Sequence, residues 1–270
     1  MTRRIIAMGG GGFLMEQRSS KLDAFFVEAT GVRRPRICFV NTGGGDPEEG
    51  LTKYYRAFSR FNCRLSHLAF FRKPRPGAIL LNEIEQGILA QDAIYVGGGN
   101  TRSMLGVWRE WGFDKTLRKA WNAGILLGGM SAGAICWYEF GATESVLGPG
   151  RSSALPCLGF LPGSCAPHFD DGPRRRRNFR RLIRDRELPA GIGIDDGVAV
   201  LYENRRIREA VSARSGATAY RVSRRGPSVA FEALPTRNLK SKPNSTPQAD
   251  AQRAVHPMLA PRPRAAERER

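Results

Sequence analysis

Four times along the chain a short apolar run ends in glycine. Residues 5–8 (IIAM) lead into Gly9-Gly10-Gly11-Gly12, 37–40 (ICFV) into Asn41-Thr42-Gly43-Gly44-Gly45, 93–96 (AIYV) into Gly97-Gly98-Gly99, and 124–127 (GILL) into Gly128-Gly129. Runs this short and this uniformly apolar fit strands buried on both faces, as in a parallel sheet. Glycines at their ends let the backbone approach a ligand closely. Between the runs, helical spacing is carried by Leu22, Phe25, Phe26 and Ala29 within 19–30, and by Tyr54, Tyr55, Phe58 and Phe61 after Pro47. Residues 82–91 and the tryptophan-rich 102–123 also read as helices, and 64–71 as a further strand. The alternation predicts an α/β fold with a doubly wound, mostly parallel sheet whose ligands sit beyond the carboxyl ends of the strands.

The fourth run carries chemistry. Gly129-Met130-Ser131-Ala132-Gly133 fits G-x-S-x-G, in which small flanking residues allow a sharp strand-to-helix turn with the serine oxygen above the end of the sheet. A helix is expected to leave through Ala134, Ile135, Trp137 and Tyr138, and its first N–H groups would point back toward that oxygen. A helix cap also uses serine, but a cap does not need both of its sides stripped of bulk.

Beyond the turn, 141–165 is loop-rich, with Glu144 and then Pro156, Gly159, Pro162 and Gly163. Residues 173–187 read as a helix with Phe179, Leu182 and Ile183 inward and a solvated arginine face. A strand pair, 192–202 and 207–211, turns at Glu203-Asn204. The composition separates a folded body, 1–239, from a disordered basic tail, 240–270, which has no Phe, Trp or Tyr with which to build a core.

The chain's 270 residues are 41% hydrophobic, enough for a substantial core. No apolar stretch has the length of a membrane span or of a signal peptide's core. Five scattered cysteines without a C-x-x-C spacing fit a reducing, cytoplasmic compartment rather than a disulfide framework. Three histidines without a paired Cys/His cluster predict no metal site, and no cofactor is expected. The net charge of +18 raises nucleic acid as a partner, but only seven of the 43 basic residues are lysine and no reader motif accompanies them. Nucleic acid is therefore not expected as a partner, nor is a membrane; a homo-oligomer is compatible with the sequence.

A serine hydroxyl needs a base to become a nucleophile, and that base needs a carboxylate to hold its tautomer. His67 lies in a strand and His256 in the tail, which leaves His168. Glu144 lies in a loop between serine and histidine; Asp170, Asp171, Asp195 and Asp196 remain alternatives.

Five segments in order, GGGNT at 97–101, GMSAGAICW at 129–137, TES at 143–145, PHFD at 167–170 and IDDG at 194–197, resemble the signature segments of the peptidase E family of serine peptidases, the aspartyl dipeptidases. That family shares a fold with class I glutamine amidotransferases and cyanophycinases, of flavodoxin-like type. Over residues 3–239 the resemblance implies Ser131 as nucleophile, His168 as general base, and an oxyanion hole from Ala132 and the Gly98-Gly99 segment. At the acid position the family typically carries Asp where this chain has Glu144, one methylene longer, so a Ser-His-Glu triad is expected. The implied substrate is a small peptide, a dipeptide with aspartate first. Asn100 and, at the start of the helix after His168, Arg174 and Arg175 are the candidate contacts to it. The alternatives are a cyanophycinase-like hydrolase of β-aspartyl-arginine and a catalytically silent binding module.

Overall fold

Each apolar run is a strand whose successive side chains enter opposite cores. Ile5 and Ala7, Cys38 and Val40, Ile94 and Val96 fall in one buried cluster, while Ile6 and Met8, Ile37 and Phe39, Ala93 and Tyr95 fall in another. Side chains that alternate between two covered faces explain why these runs show no polar residues at every second position. The computed structural model describes residues 2–16 and 20–240.

In chain order the elements are β1 (Arg4–Met8), α1 (Lys21–Ala29), β2 (Arg36–Val40), α2 (Glu48–Phe58), β3 (Arg64–Leu68), α3 (Ile84–Leu89), β4 (Ala93–Val96), α4 (Thr101–Glu110), α5 (Phe113–Asn122), β5 (Leu126–Met130) and α6 (Ala132–Ile135). There follow β6 (Tyr138–Thr143), β7 (Ser153–Pro156), β8 (Leu161–Ala166), α7 (Gly172–Arg184), β9 (Gly191–Ile194), β10 (Val198–Glu203), β11 (Arg206–Ser212), β12 (Ala219–Arg225), β13 (Ser228–Ala233) and β14 (Thr236–Asn238). The main sheet has the order β14-β11-β10-β1-β5-β4-β2-β3. From β1 to β3 all neighbours are parallel; β10 joins antiparallel to β1 and closes that side. The α/β architecture with helices on both faces is the one expected.

The loop-rich segment and the stretch after 211 build a second sheet, β13-β12-β9-β8-β6-β7, that the sequence did not announce. Its strands are short and irregular in burial. Pro156 ends the edge strand β7, and Gly163 bends β8 with φ 81°.

Three expected boundaries change. The stretch 192–202 divides, with β9 in the second sheet and β10 in the main one, so Asp195-Asp196-Gly197 is the crossover between sheets. Residues 102–123 form two helices, because Gly112 turns the chain at φ 64°. The helix after Ser131 has only four residues, and Tyr138 already begins β6; fully buried Trp137 and Tyr138 continue into the apolar interior. The tail predicted to be disordered lies, from residue 241, outside the described residues.

Candidate active site

Ser131 stands at the end of β5 with φ 57° and ψ −115°, a conformation strained for a residue with a side chain. Two features hold it there. Its N–H donates to Met8 O at 3.1 Å, and its carbonyl accepts from Ala134 and Ile135 N–H at 2.9 Å each. The turn also passes so close to β4 that a Cβ on Gly133 would lie 2.2 Å from Val96 O, so the motif's last glycine is required by space. The serine is presented by strand β1, strand β4 and the first turn of α6 together.

The neighbouring main chain supplies donors. Gly97 and Asn100 N–H are taken by Val40 O at 2.9 Å and Gly43 O at 2.7 Å, which leaves Gly98 and Gly99 N–H between them without an assigned acceptor among the described residues. Gly98 is beside the serine, since a Cβ built on it would lie 3.2 Å from Ser131 Cβ. Ala132 is the first residue of α6, where helical N–H groups lack intrahelical acceptors. Asn100 is exposed and caps α4, its Oδ1 accepting from Ser103 N–H at 2.9 Å, so its Nδ2 is what it can offer a ligand.

His168 follows β8, also at positive φ (51°), and its ring is held at Nδ1, 2.6 Å from Asp196 Oδ1. A carboxylate only accepts, so Nδ1 carries the proton and Nε2 presents a lone pair. The acid at the imidazole is thus Asp196, and the expectation of Glu144 is corrected. Glu144 lies between Thr143 and Ser145, whose hydroxyls turn to the start of α4: Ser145 Oγ accepts from Thr101 N–H at 2.9 Å and lies 2.9 Å from Thr143 Oγ1. The glutamate pairs with Arg175 at 3.8 Å. The TES segment ties the glycine loop before α4 to β6, and its carboxylate faces α7.

Asp196 is itself positioned. Its N–H donates to Asp170 Oδ1 at 2.8 Å, and Asp170 forms an ion pair with Arg214. Burial pushes the Asp170 carboxyl up, but the Asp196 N–H and the Arg214 guanidinium outweigh it and hold the group below its ordinary range. Asp195 turns the other way, accepting from Thr218 N–H at 3.1 Å and meeting Arg176 at 3.4 Å. Burial raises its carboxyl. The Arg176 guanidinium lies over the rings of Phe169 and Tyr220, 5.2 and 4.8 Å from their centroids.

Gly10 joins the two halves. It forms a parallel bridge with Asp196, and a Cβ there would fall 2.1 Å from Asp196 Oδ1 and 2.8 Å from His168 Cε1. Two residues earlier Met8 O holds the Ser131 N–H, so the end of β1 sets serine, histidine and aspartate around one backbone segment. Of the predicted substrate contacts, Arg174 is exposed, while Arg175 is half-buried between Glu144 and Asp171, 3.8 Å from each. The PHFD and IDDG segments stand out in the sequence, whereas the roles of Asp170, Arg214 and Gly10 carry no local signal.

A strained serine at a strand-to-helix turn, free main-chain donors beside it and a carboxylate-held histidine define the class of nucleophilic serine hydrolases. A sequence model described as Peptidase family S51 matches residues 5–210, and the chain belongs to that family of serine-type peptidases. It is 42% identical over 237 residues to the "Uncharacterized peptidase YgaJ" of Bacillus subtilis (strain 168), a match covering 88% of this chain and 99% of that one. The fold is similar to the crystal structure of a peptidase from an acI-B1 Actinobacterium, with a TM-score of 0.65 at 16% identity over 87% of this chain and 95% of that one. It is also similar to a putative peptidase E protein from Listeria monocytogenes EGD-e, with a TM-score of 0.58 at 17% identity over 77% and 97% of the two chains. No helix among the described residues is long and apolar enough to cross a membrane, and none of their His, Cys, Asp and Glu side chains form a group of three that could hold a metal.

Proposed function

We propose that this peptidase hydrolyses dipeptides with an N-terminal aspartate through Ser131, His168 and Asp196. The observation that carries the reading is the 2.6 Å contact of Asp196 with His168 Nδ1, which leaves Nε2 as the base. His168 Nε2 takes the Ser131 proton as Oγ attacks the peptide carbonyl, and N–H groups of Ala132 and the Gly98-Gly99 segment hold the oxyanion. The imidazolium then protonates the departing amine. Water, deprotonated by the same nitrogen, releases the acyl group. Removing one oxyanion donor from such a site costs about 2.7–4 kcal/mol of barrier.

Arg174 and Arg175 begin α7 a few residues after the base and are the cations offered to the substrate's aspartate, with the Asn100 amide as a further donor. Arg175 meets its two acids beyond hydrogen-bond length, so a substrate carboxylate can compete for it. Comparing Asp-Leu with Asn-Leu tests the specificity, because the two differ in charge and hardly in shape. The expected preference is at least about tenfold in kcat/KM, or about 1.4 kcal/mol. Equal rates would remove the aspartyl preference, and activity surviving in Ser131→Ala would remove the nucleophile.

A further inference from the structure

A cavity of about 370 Å³ opens at the carboxyl ends of β2 and β3, lined on one side by Asn41 and Asp46. Its size falls within the range of small-molecule sites, which begins at roughly 300 Å³. The walls include Phe39, Leu51 and Leu68, and at the mouth stands Phe71, 53% exposed, followed by Arg72 and Lys73. Arg75 is neutralised by Glu48 at 2.8 Å, whereas Arg72 and Lys73 have no ion-pair partner among the described residues.

Asp46 supplies an independent sign. It lines the cavity, is 8% exposed, and its Oδ2 accepts from Phe70 and Phe71 N–H at 2.6 and 3.1 Å. Its Oδ1 is buried with no hydrogen-bond partner. A buried carboxylate oxygen left without a donor costs stability, because its desolvation is not repaid by a hydrogen bond. Burial raises the Asp46 carboxyl, opposed by the Phe71 and Phe70 N–H groups and the Arg72 charge.

From these features we infer that the cavity is a binding site for a small amphiphilic monoanion bearing an N–H, the chemistry of an N-acylated apolar amino acid. The apolar side chain lies along Phe39 and Leu51, with Phe71 at the mouth. The carboxylate meets Arg72 and Lys73 at the mouth, and the amide N–H donates to Asp46 Oδ1. Two cations against one aspartate leave a single positive charge, which suits a monoanion better than a dianion and disfavours a free ammonium. The inference does not depend on the catalytic assignment.

The test is calorimetric titration of the full-length protein with N-acetyl-L-leucine. Saturable binding is expected, at least about tenfold weaker in Arg72→Ala/Lys73→Ala and for N-acetyl-L-leucinamide, which lacks the charge. Asp46→Asn, which keeps the backbone bonds but presents an NH₂ group, should weaken binding as well, and Ser131→Ala should leave it unchanged. The two rim residues are exposed, so their replacement does not threaten the fold. No saturable binding, or equal affinity in wild type and the rim double variant, overturns the inference.

Discussion

At the scale of single residues, the site separates two carboxylates by what each touches. Asp196 holds the imidazole, whereas Glu144 sits against the half-buried Arg175 of α7. Asp196→Asn is therefore expected to lower kcat by roughly 10³-fold or more, because an amide in place of the acceptor removes the stabilisation of the imidazolium and favours the wrong tautomer. Glu144→Gln is expected to stay within about tenfold of wild type, a loss under about 1.4 kcal/mol, since it alters an ion pair outside hydrogen-bond length. Steady-state kinetics on Asp-Leu measure both, and the reverse order of effects would return the acid to Glu144. Ser131 was legible in the sequence because its motif is local: glycine on both sides within five residues. The acid was not, because His168 meets a carboxylate 28 positions away across a change of sheet, and no spacing rule distinguishes Asp196 from its four rivals.

At the scale of elements, the glycines at strand ends have separate duties, and Gly10 carries the clearest one. Its φ is not in the left-handed region, so alanine fits the backbone there; what forbids a methyl group is the Asp196–His168 pair. Gly10→Ala is expected to fold, with an unchanged far-ultraviolet circular dichroism spectrum, and to lose at least about 10²-fold in kcat, the cost of a catalytic group displaced by about 1 Å. Wild-type turnover in that variant would show that the pair moves aside without consequence. The next element is tied down by Asp23, whose carboxylate accepts from Ser20 N–H at 2.7 Å and Phe13 N–H at 3.3 Å in the capping box of α1. Burial pushes this acid from 3.8 to about 6, against the backbone hydrogen bonds. The folded protein then binds the extra proton between those values, so this contribution to stability is complete below pH 3.8 and is lost as pH rises through about 6. The change is about 3 kcal/mol in size. Denaturant unfolding of wild type and Asp23→Asn from pH 4 to 7 should show their stability difference moving against wild type, and a constant difference would sink the assignment. The parallel core was readable because both faces of each strand are covered and every residue must be apolar. The second sheet was not, because β7 and β8 mix burial classes and contain proline and glycine, which read as loop.

At the scale of the whole molecule, the last strand reaches the active site without touching it. β14 lies at the edge of the main sheet, parallel to β11, and Leu239 donates its N–H to Ser212 O at 2.7 Å while packing on the α1 and α2 side of the core. The Ser212 hydroxyl donates to Arg214 O at 2.6 Å and accepts from Arg214 N–H at 3.1 Å; Arg214 pairs with Asp170, and Asp170 holds the N–H of Asp196. A second line runs from Thr236 Oγ1, 2.6 Å from Thr218 Oγ1, to the Thr218 N–H that donates to Asp195. Both lines end at the crossover between the sheets, where the carboxylate that orients His168 is held. Ending the chain after Lys240 leaves every one of these contacts in place, so its Tm and kcat should match the full chain. Ending it after Pro235 removes β14 and Leu239 and exposes the edge of β11. That chain is expected to lose Tm by several degrees, since about 1 kcal/mol shifts Tm by roughly 2–4 °C in a protein of this size. Assayed well below its own Tm, it should also lose at least about tenfold in kcat with KM less affected, because the geometry lost is that of the base rather than of the binding groups. A chain ending after Pro235 that melts earlier yet turns over at the full rate would show that β14 stabilises the sheet alone, and that Arg214 and Thr218 keep Asp196 and Asp195 in place without it.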